Sequence, residues 1–592
     1  MHMVCVSGYR FCCPTPRSRK FAGWAGFGAF IRSEAHFYIA LISSVSFRPD
    51  ILTEELYCMR LGIDFGTTRI VVAVVDRGNY PVVAFETGDG ATRDWFPPLV
   101  AANGERRLYG WEAWSTQELP GWTIVRSIKR ALEDAGPETK VQLGEQVIPV
   151  SQLLSELMQA LKTSLLEHST LPPPGPDEAL DVMLGVPANA NSNQRFLTVE
   201  AFRNAGFQVL GLLNEPSAAS IEFGHRDRVA SKGERKDEKK QSLLVYDLGG
   251  GTFDVSLVEV DDLTHSVLAS EGIATLGGDD FDEVLAQLAL EAAGLTESER
   301  DGITQAEHFR LHEECRQKKE ALHPNTRRIG VDLECVRDGW GQVSVNVADF
   351  YERCRPLVEE TLYSAESLLA ANSLSSDSAQ IDALYMTGGA SELPLVARVL
   401  RESFGRRVRR SAYTRSATAI GLAIQADTQT GYVLREKFTR HFGVWREAEE
   451  GRSIVFDPLF LRGTALPGPG DPPLVRDRSY VPVHNIGHFR YLECSNRTED
   501  SQPAGDITIW DEIRFPFDPK LEPEKDLNGT PVVHSMPGCE VEERYACDAS
   551  GTVTVTIANL TAGYSRTYRV GRWAAKDAPI VPGRKKKSAA KK

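Results

Sequence analysis

The stretch LGIDFGTTRIVVAVVD, Leu61–Asp76, decides how the chain is read. Leu61–Asp64 and Ile70–Val75 are short, apolar and rich in β-branched residues, so they read as two strands joined by the FGTT turn. Alone, Asp-x-Gly-Thr is a weak signal and reads first as an ordinary hairpin turn. A second stretch, LLVYDLGGGTFDVSLVEV (Leu243–Val260), repeats the plan with an apolar strand, Asp247, a Gly/Thr turn and another strand. Two carboxylate-tipped hairpins this far apart predict two related lobes, each presenting the same device.

The residue types suit phosphate and its metal ion. Binding a phosphoryl group needs close approach by backbone N–H groups and hydroxyls, and a divalent cation needs carboxylates, usually through water. Gly66, Gly249, Gly250 and Gly251 remove side chains that would block the approach. Thr67, Thr68 and Thr252 offer hydroxyls, and Asp64 and Asp247 stand at strand ends, where they can share a hydrated Mg²⁺. A third glycine signal lies in LYMTGGASELP (Leu384–Pro394), where a strand runs into Gly388–Gly389. Leu395, Val396, Val399 and Leu400 then give one helix face. This segment is either a tight strand-to-helix turn or a backbone ledge beneath a nucleoside.

Short apolar runs alternate with helical patterns from residue 61 onward, the habit of an α/β protein. The pattern predicts a helix over Ser151–Glu167, a buried strand over Asp181–Pro187 and a helix over Asn193–Ala205. Phe281, Val284, Leu285 and Leu288 form a further core-facing helix stripe, and SKGERKDEKK (Ser231–Lys240) reads as a charged surface loop. Beyond about Thr430 the composition shifts to Pro, Gly, Thr and aromatic residues. Val553, Val555 and Ile557 alternate with Thr552, Thr554 and Thr556, so the region from roughly 435 to 572 reads as an all-β module.

Bulk composition narrows the function. The 592 residues are 42% apolar and 25% charged, ordinary values for a globular chain of several domains. A net charge of −14 argues against a general nucleic-acid binder. Ten scattered cysteines form no disulfide framework, which points to a reducing, cytoplasmic setting with buried or inert thiols. Residues 1–58 lack both a clean signal sequence and a span, and read as a non-native or disordered extension preceding Met59. The basic end, residues 574–592, reads as a solvated tail.

With these residues in hand, the chain resembles the DnaK-type chaperones, the 70-kDa heat-shock protein family of the actin-like ATPases. IDFGTT, VPANANSNQR, NEPSAA, YDLGGGTFDVS, TLGGDDFD and TGGASELP carry the resemblance over about residues 60–425. It implies an actin-like (ribonuclease H-like) α/β two-lobe ATPase domain over 59–428, a linker over 429–440 and a β-sandwich peptide- or partner-binding domain over 441–573. The ligands implied are ATP or ADP with Mg²⁺. Asp64 and Asp247 match the carboxylates of the metal hydrate, supported by Asp254. Thr67, Thr68, Arg69, Gly249, Gly250, Gly251, Thr252, Gly277 and Gly278 fall on the phosphate clamp or its rim, and Lys319, Gly388 and Gly389 on the nucleoside side. Glu215 and Lys129 match the residues around the attacking water, and Pro187 and Arg195 the pair that relays nucleotide state.

Several positions depart from the family pattern. Arg69 is a cation where a smaller polar or aromatic residue is common. Arg316 and His323 replace a usual glutamate and serine. Glu320 and Glu392 stand where arginines often face the purine, and Arg415 replaces a frequent aspartate. Two glutamates offer no cation–π stacking, so adenine grip is expected to differ more than phosphate handling. The usual acidic, leucine-rich linker is replaced by TQTGYVLREKFTRHFGV, and no helical lid is expected after Arg572. The resulting expectation is a slow chaperone-like ATPase acting on extended peptides or a dedicated partner, with a J-domain co-chaperone and an exchange factor as implied helpers. A nucleotide-gated scaffold with little turnover stays open beside it, and a small-molecule kinase or filament-forming relative explains the β module less well.

Overall fold

In the computed structural model, the described residues run from 59 to 570, apart from 89, 118, 133–134, 136–138, 176–177, 231–239, 449–452, 469–470, 525, 536 and 549–550. The N-terminal extension, most of the charged loop at Ser231–Lys240 and the basic tail therefore lie outside them.

The first hairpin is formed by β1 (Met59–Phe65) and β2 (Ile70–Val74), paired antiparallel with Asp64 opposite Val71. Leu61, Ile63 and Phe65 are buried, as are all five residues of β2, so the hairpin is held from both faces. β3 (Leu180–Val186) lies parallel to β1, and β4 (Gln208–Asn214) parallel to β3, completing a sheet of order β4-β3-β1-β2. Two helices cover this lobe. α1 (Val150–Glu167) turns Leu153, Leu154, Leu157, Leu161 and Leu165 inward at helical spacing. α2 (Ser192–Asn204) starts at a capping box in which Asn191 Oδ1 accepts from Gln194 N–H and Gln194 Oε1 accepts from Asn191 N–H, each at 2.9 Å.

After α3 (Glu215–Ala230) the plan repeats. β5 (Gln241–Leu248) and β6 (Phe253–Asp261) pair antiparallel, with Asp247 opposite Asp254 at the turn, and β7 (Thr264–Ile273) extends the meander. β8 (Ala383–Thr387) is parallel to β5, as β3 is to β1, and β9 (Val408–Arg410) follows on its outer side. Helices α4 (Gly278–Ala292), α5 (Gln305–Glu320), α6 (Val347–Ala371) and α7 (Pro394–Phe404) belong to this lobe, and α8 (Ala417–Ala426) packs against both α3 and β1.

The segment in place of the usual linker has a defined conformation. β10 (Val433–Arg435) pairs parallel with β7 and becomes the outermost strand of a six-stranded sheet, β9-β8-β5-β6-β7-β10. Two four-stranded sheets follow. Their strands are β11 (His441–Ala448), β12 (Ser453–Phe460), β13 (Leu474–Tyr480), β14 (Ile486–Arg497), β15 (Pro503–Pro516), β16 (Val541–Cys547), β17 (Val553–Asn559) and β18 (Tyr564–Val570). The orders are β12-β11-β14-β15 and β13-β16-β17-β18, antiparallel throughout. Val553, Val555 and Ile557 are buried with Phe442, Tyr491 and Phe515 between the sheets, so the threonine/valine alternation is the pattern of a half-buried strand.

The sandwich sits against the first two lobes through specific contacts. Ser192, at the start of α2, donates its N–H to Glu493 Oε1 on β14 at 2.7 Å, and Arg440 pairs with the same oxygen at 3.3 Å. Arg462 pairs with Glu271 on β7 at 2.6 Å, and Lys437 donates to the Leu268 carbonyl at 2.9 Å. Among the described cysteines all are free, five of them buried, while Cys335 is exposed rather than buried. No helix among the described residues is long and apolar enough to cross a membrane.

Candidate nucleotide and metal site

The two carboxylate-tipped hairpins face one cleft. Its walls include Asp64, Gly66, Thr67, Thr68 and Arg69 from the first lobe and Asp247, Gly249, Gly250 and Thr252 from the second. Lys129, Glu215, Gly278, Lys319, Gly388 and Gly389 complete it, so most of the sequence-derived candidates come together. Gly251 and Gly277 stand just behind the lining. A Cβ on Gly277 would fall 2.6 Å from the Gly250 carbonyl carbon, so only two side-chain-free backbones can pack here. Gly388 has φ +80°, and a Cβ there would meet Leu248 O at 2.3 Å and Asp247 Oδ1 at 2.4 Å.

Charge in the cleft is concentrated and buried. Lys129 Nζ donates to Glu215 Oε1 at 2.6 Å, each side chain about one-tenth exposed. Burial would lower the Lys129 pKa, but Glu215 and Asp64 beside it raise it overall. Asp64 is driven well above the usual carboxylate range by burial and then by repulsion from Glu215. The same causes, burial first and then neighbouring carboxylates, push Asp247 up to about 8 and Asp254 to about 7. Asp254 also accepts from Ala188 N–H at 3.0 Å, beside Pro187. One lysine cannot keep four buried carboxylates ionised, so the raised affinity of Asp64, Asp247 and Asp254 for protons marks a place for a hard divalent cation, for which such carboxylates are donors. The residues thus fit Mg²⁺, and the side-chain-free loops opposite fit a polyphosphate.

The nucleoside side differs from the sequence expectation. Glu320 and Glu392 offer no cation–π stacking themselves, but three arginines converge on them. Arg69 bonds both oxygens of Glu320, at 2.8 and 2.6 Å, and stacks over Trp95 at 5.0 Å. Arg415 bridges Glu320 at 3.0 Å and Glu392 at 2.7 Å. Arg316 lies 5.8 Å over Trp95 and 5.6 Å over Trp114 and pairs with Glu313 at 2.7 Å. Burial pushes Glu320 up, but Arg69, Arg415 and Arg316 together hold it down at about 2. Arg69 thus extends to the second lobe and joins the two across the cleft, whose free volume is about 90 Å³. Arg69, Arg316, Glu320 and Arg415 also line a wider adjoining cavity of about 1450 Å³. Lys319 is engaged as well, donating to the Gly278 carbonyl at 2.6 Å and pairing with Asp282 at 2.7 Å. His323 does not line the cleft.

Sequence reasoning overlooked Arg130 and Trp95. Arg130 reaches from beside Lys129 to the Gly251 carbonyl at 3.3 Å and Asp280 at 3.0 Å, a second link between lobes. Its place next to Lys129 in SIKRAL was the available signal; for Trp95 there was none. Arg195 donates to Asn214 Oδ1 at 2.8 Å and lies within the field of Glu436 and Glu493, at the junction with the sandwich.

Two lobes built from a repeated hairpin, closing on a carboxylate-lined cleft, define an actin-like nucleotide-binding protein carrying a β-sandwich. Comparison with known families agrees: the family model described as Hsp70 protein matches residues 133–439, just over half of the chain, and the protein belongs to the Hsp70 family. It is also 27% identical over 557 residues to a heat shock protein of Pyricularia oryzae, covering 88% of this chain and 83% of that protein. Members of this family are ATP-dependent chaperones that bind ATP or ADP with Mg²⁺ and engage peptides and co-chaperones.

Proposed function

We propose that the protein hydrolyses ATP slowly in this cleft and uses nucleotide state to alter the grip of the β-sandwich on an extended peptide or partner protein. The buried cluster of Asp64, Asp247, Asp254 and Glu215 around Lys129 is the observation that carries the reading. Asp64 and Asp247 would hold Mg²⁺ through water, with Asp254 fixing the second-lobe side. Thr67, Thr68, Gly249, Gly250 and Thr252 would cradle the phosphates. Bound Mg²⁺ neutralises phosphate charge, and the chain's part is positioning and electrostatics. Lys129, which donates to Glu215 at 2.6 Å, would orient a water, and Glu215 would accept its hydrogen bond.

Coupling to the sandwich has a structural basis in the edge strand β10 and the Ser192–Glu493 contact, which bear on different lobes. A change in lobe angle cannot leave both unchanged, so the two arrangements of the cleft would bias two arrangements of the sandwich. The ionic bridge of Arg69, Glu320, Arg415 and Glu392 favours the second reading, a nucleotide-gated scaffold with little turnover. Phosphate release measured beside ATP affinity separates the two. Turnover lost in Lys129→Ala with binding retained supports the ATPase, whereas binding without turnover, indifferent to Lys129→Ala, supports the scaffold.

A further inference from the structure

A cluster outside the cleft joins α4 to α5. His308 and His312 are one helical turn apart on α5, and their rings stack with centroids 4.2 Å apart and planes at 28°. Glu283 on α4 faces them, with Oε2 3.0 Å from His312 Nε2. One donor atom from each of the three lies within 4.8 Å of the others, and no other His, Cys, Asp or Glu group of three does so among the described residues. His312 Nε2 is shielded from solvent and, despite the short distance, makes no hydrogen bond of acceptable geometry. The other carboxylate oxygen, Oε1, is taken by Gln287, whose amide donates to it at 2.8 Å and fixes the orientation of Glu283.

We propose that Glu283, His308 and His312 form a binding site for a divalent transition cation of the zinc class, clipping α4 to α5. Two imidazoles one turn apart and a carboxylate are a three-ligand set that leaves a fourth tetrahedral position for water. Zinc bonds of about 2.0–2.2 Å set donor atoms ~3.3 Å apart. The His312–Glu283 pair already meets that spacing. His308 is exposed, and its donor atom, within 4.8 Å of the other two, would have to close in on the ion. Arg126 lies nearby, but it is directed to Glu313 at 4.0 Å and to the Phe309 ring at 5.5 Å. The site adjoins the cleft without belonging to it: Asp282, next to Glu283 on α4, pairs with Lys319, about two turns beyond His312 on α5.

The test is Zn²⁺ titration of the full chain by calorimetry, with nucleotide absent, together with thermal unfolding at each metal load. Wild type and Cys335→Ser should each bind one tight equivalent and gain melting temperature. His308→Ala and His312→Ala should lose that equivalent and the thermal gain, weakening binding beyond the roughly 10–100-fold typical of an outer-shell partner. His308 is exposed, so its alanine variant is expected to fold normally, as unchanged metal-free unfolding would show. The proposal is overturned if no tight equivalent binds, if it survives in both histidine variants, or if it disappears in Cys335→Ser instead.

Discussion

Replacing Lys129 by Met retains most of the side-chain volume and removes the cation at the centre of four buried carboxylates. Packing then changes little, at under about 1.5 kcal/mol for a volume-conserving swap. The electrostatic cost depends on pH, because the cluster can recover by neutralising one carboxylate. At about 1.36 kcal/mol per pH unit above an ordinary glutamate pKa of ~4.3, that neutralisation costs about 1 kcal/mol at pH 5 and about 5 kcal/mol at pH 8. The upper figure matches the ~3–5 kcal/mol for removing one partner of a buried ion pair. The wild-type cluster already leans this way. Asp247 and Asp254 titrate near 8 and 7 in the folded state against 3.8 unfolded. The folded state therefore binds more protons between about pH 4 and 8, and nucleotide-free stability falls as pH rises through that window. Lys129→Met steepens the fall. Urea unfolding without nucleotide, followed by far-ultraviolet circular dichroism at pH 5, 6.5 and 8, reads the effect. A loss equal at all three pH values, or below about 1 kcal/mol at pH 8, would refute the electrostatic reasoning.

Other substitutions probe separate parts of the structure. Gly388→Ala places a methyl group against Asp247 Oδ1 and imposes a positive φ on alanine, at a cost of ~1–3 kcal/mol. Its Mg²⁺-dependent nucleotide affinity, measured by calorimetry, should fall more than its affinity in EDTA. Arg69→Ala removes a partly exposed ion pair and a stack on Trp95, together about 1–2 kcal/mol, so a fluorescent nucleotide should leave about 5–30-fold faster in stopped flow. Unchanged or slower release would mean the Arg69–Glu320 bridge lies off the exit path. In the sandwich, Arg446 holds the buried Glu543 at 2.7 Å, so Glu543→Ala should lower the stability of that domain by ~3–5 kcal/mol in chemical denaturation.

The duplicated hairpins were legible because their signal is local: an aspartate, glycines and threonines between two apolar strands. Val553, Val555 and Ile557 were legible for the same reason, since alternation with threonine declares a strand without its partner. What escaped depends on contacts distant in sequence. Arg69 and Glu320 are 251 residues apart, and each looked like an isolated oddity until the closed lobes joined them. Glu320 and Glu392 were noted as departures, as were Arg69 and Arg415, but their pairing was not legible because the partners come from different segments. β10 is three residues long, and only its neighbour β7 makes it a strand. The spacing of His308 and His312 is visible in HFRLH, but their neighbour Glu283 is set by the packing of α4 on α5.

The central claim is that the paired hairpins form one Mg²⁺–nucleotide site, and Asp247→Asn tests it most directly. The substitution keeps shape and removes a single ionisable group where both lobes would meet the metal. Steady-state phosphate release from ATP by the full chain, in saturating Mg²⁺, should be measurable for wild type. The account predicts that Asp247→Asn lowers it at least tenfold while the protein stays folded. Equal rates for the two proteins would contradict the account.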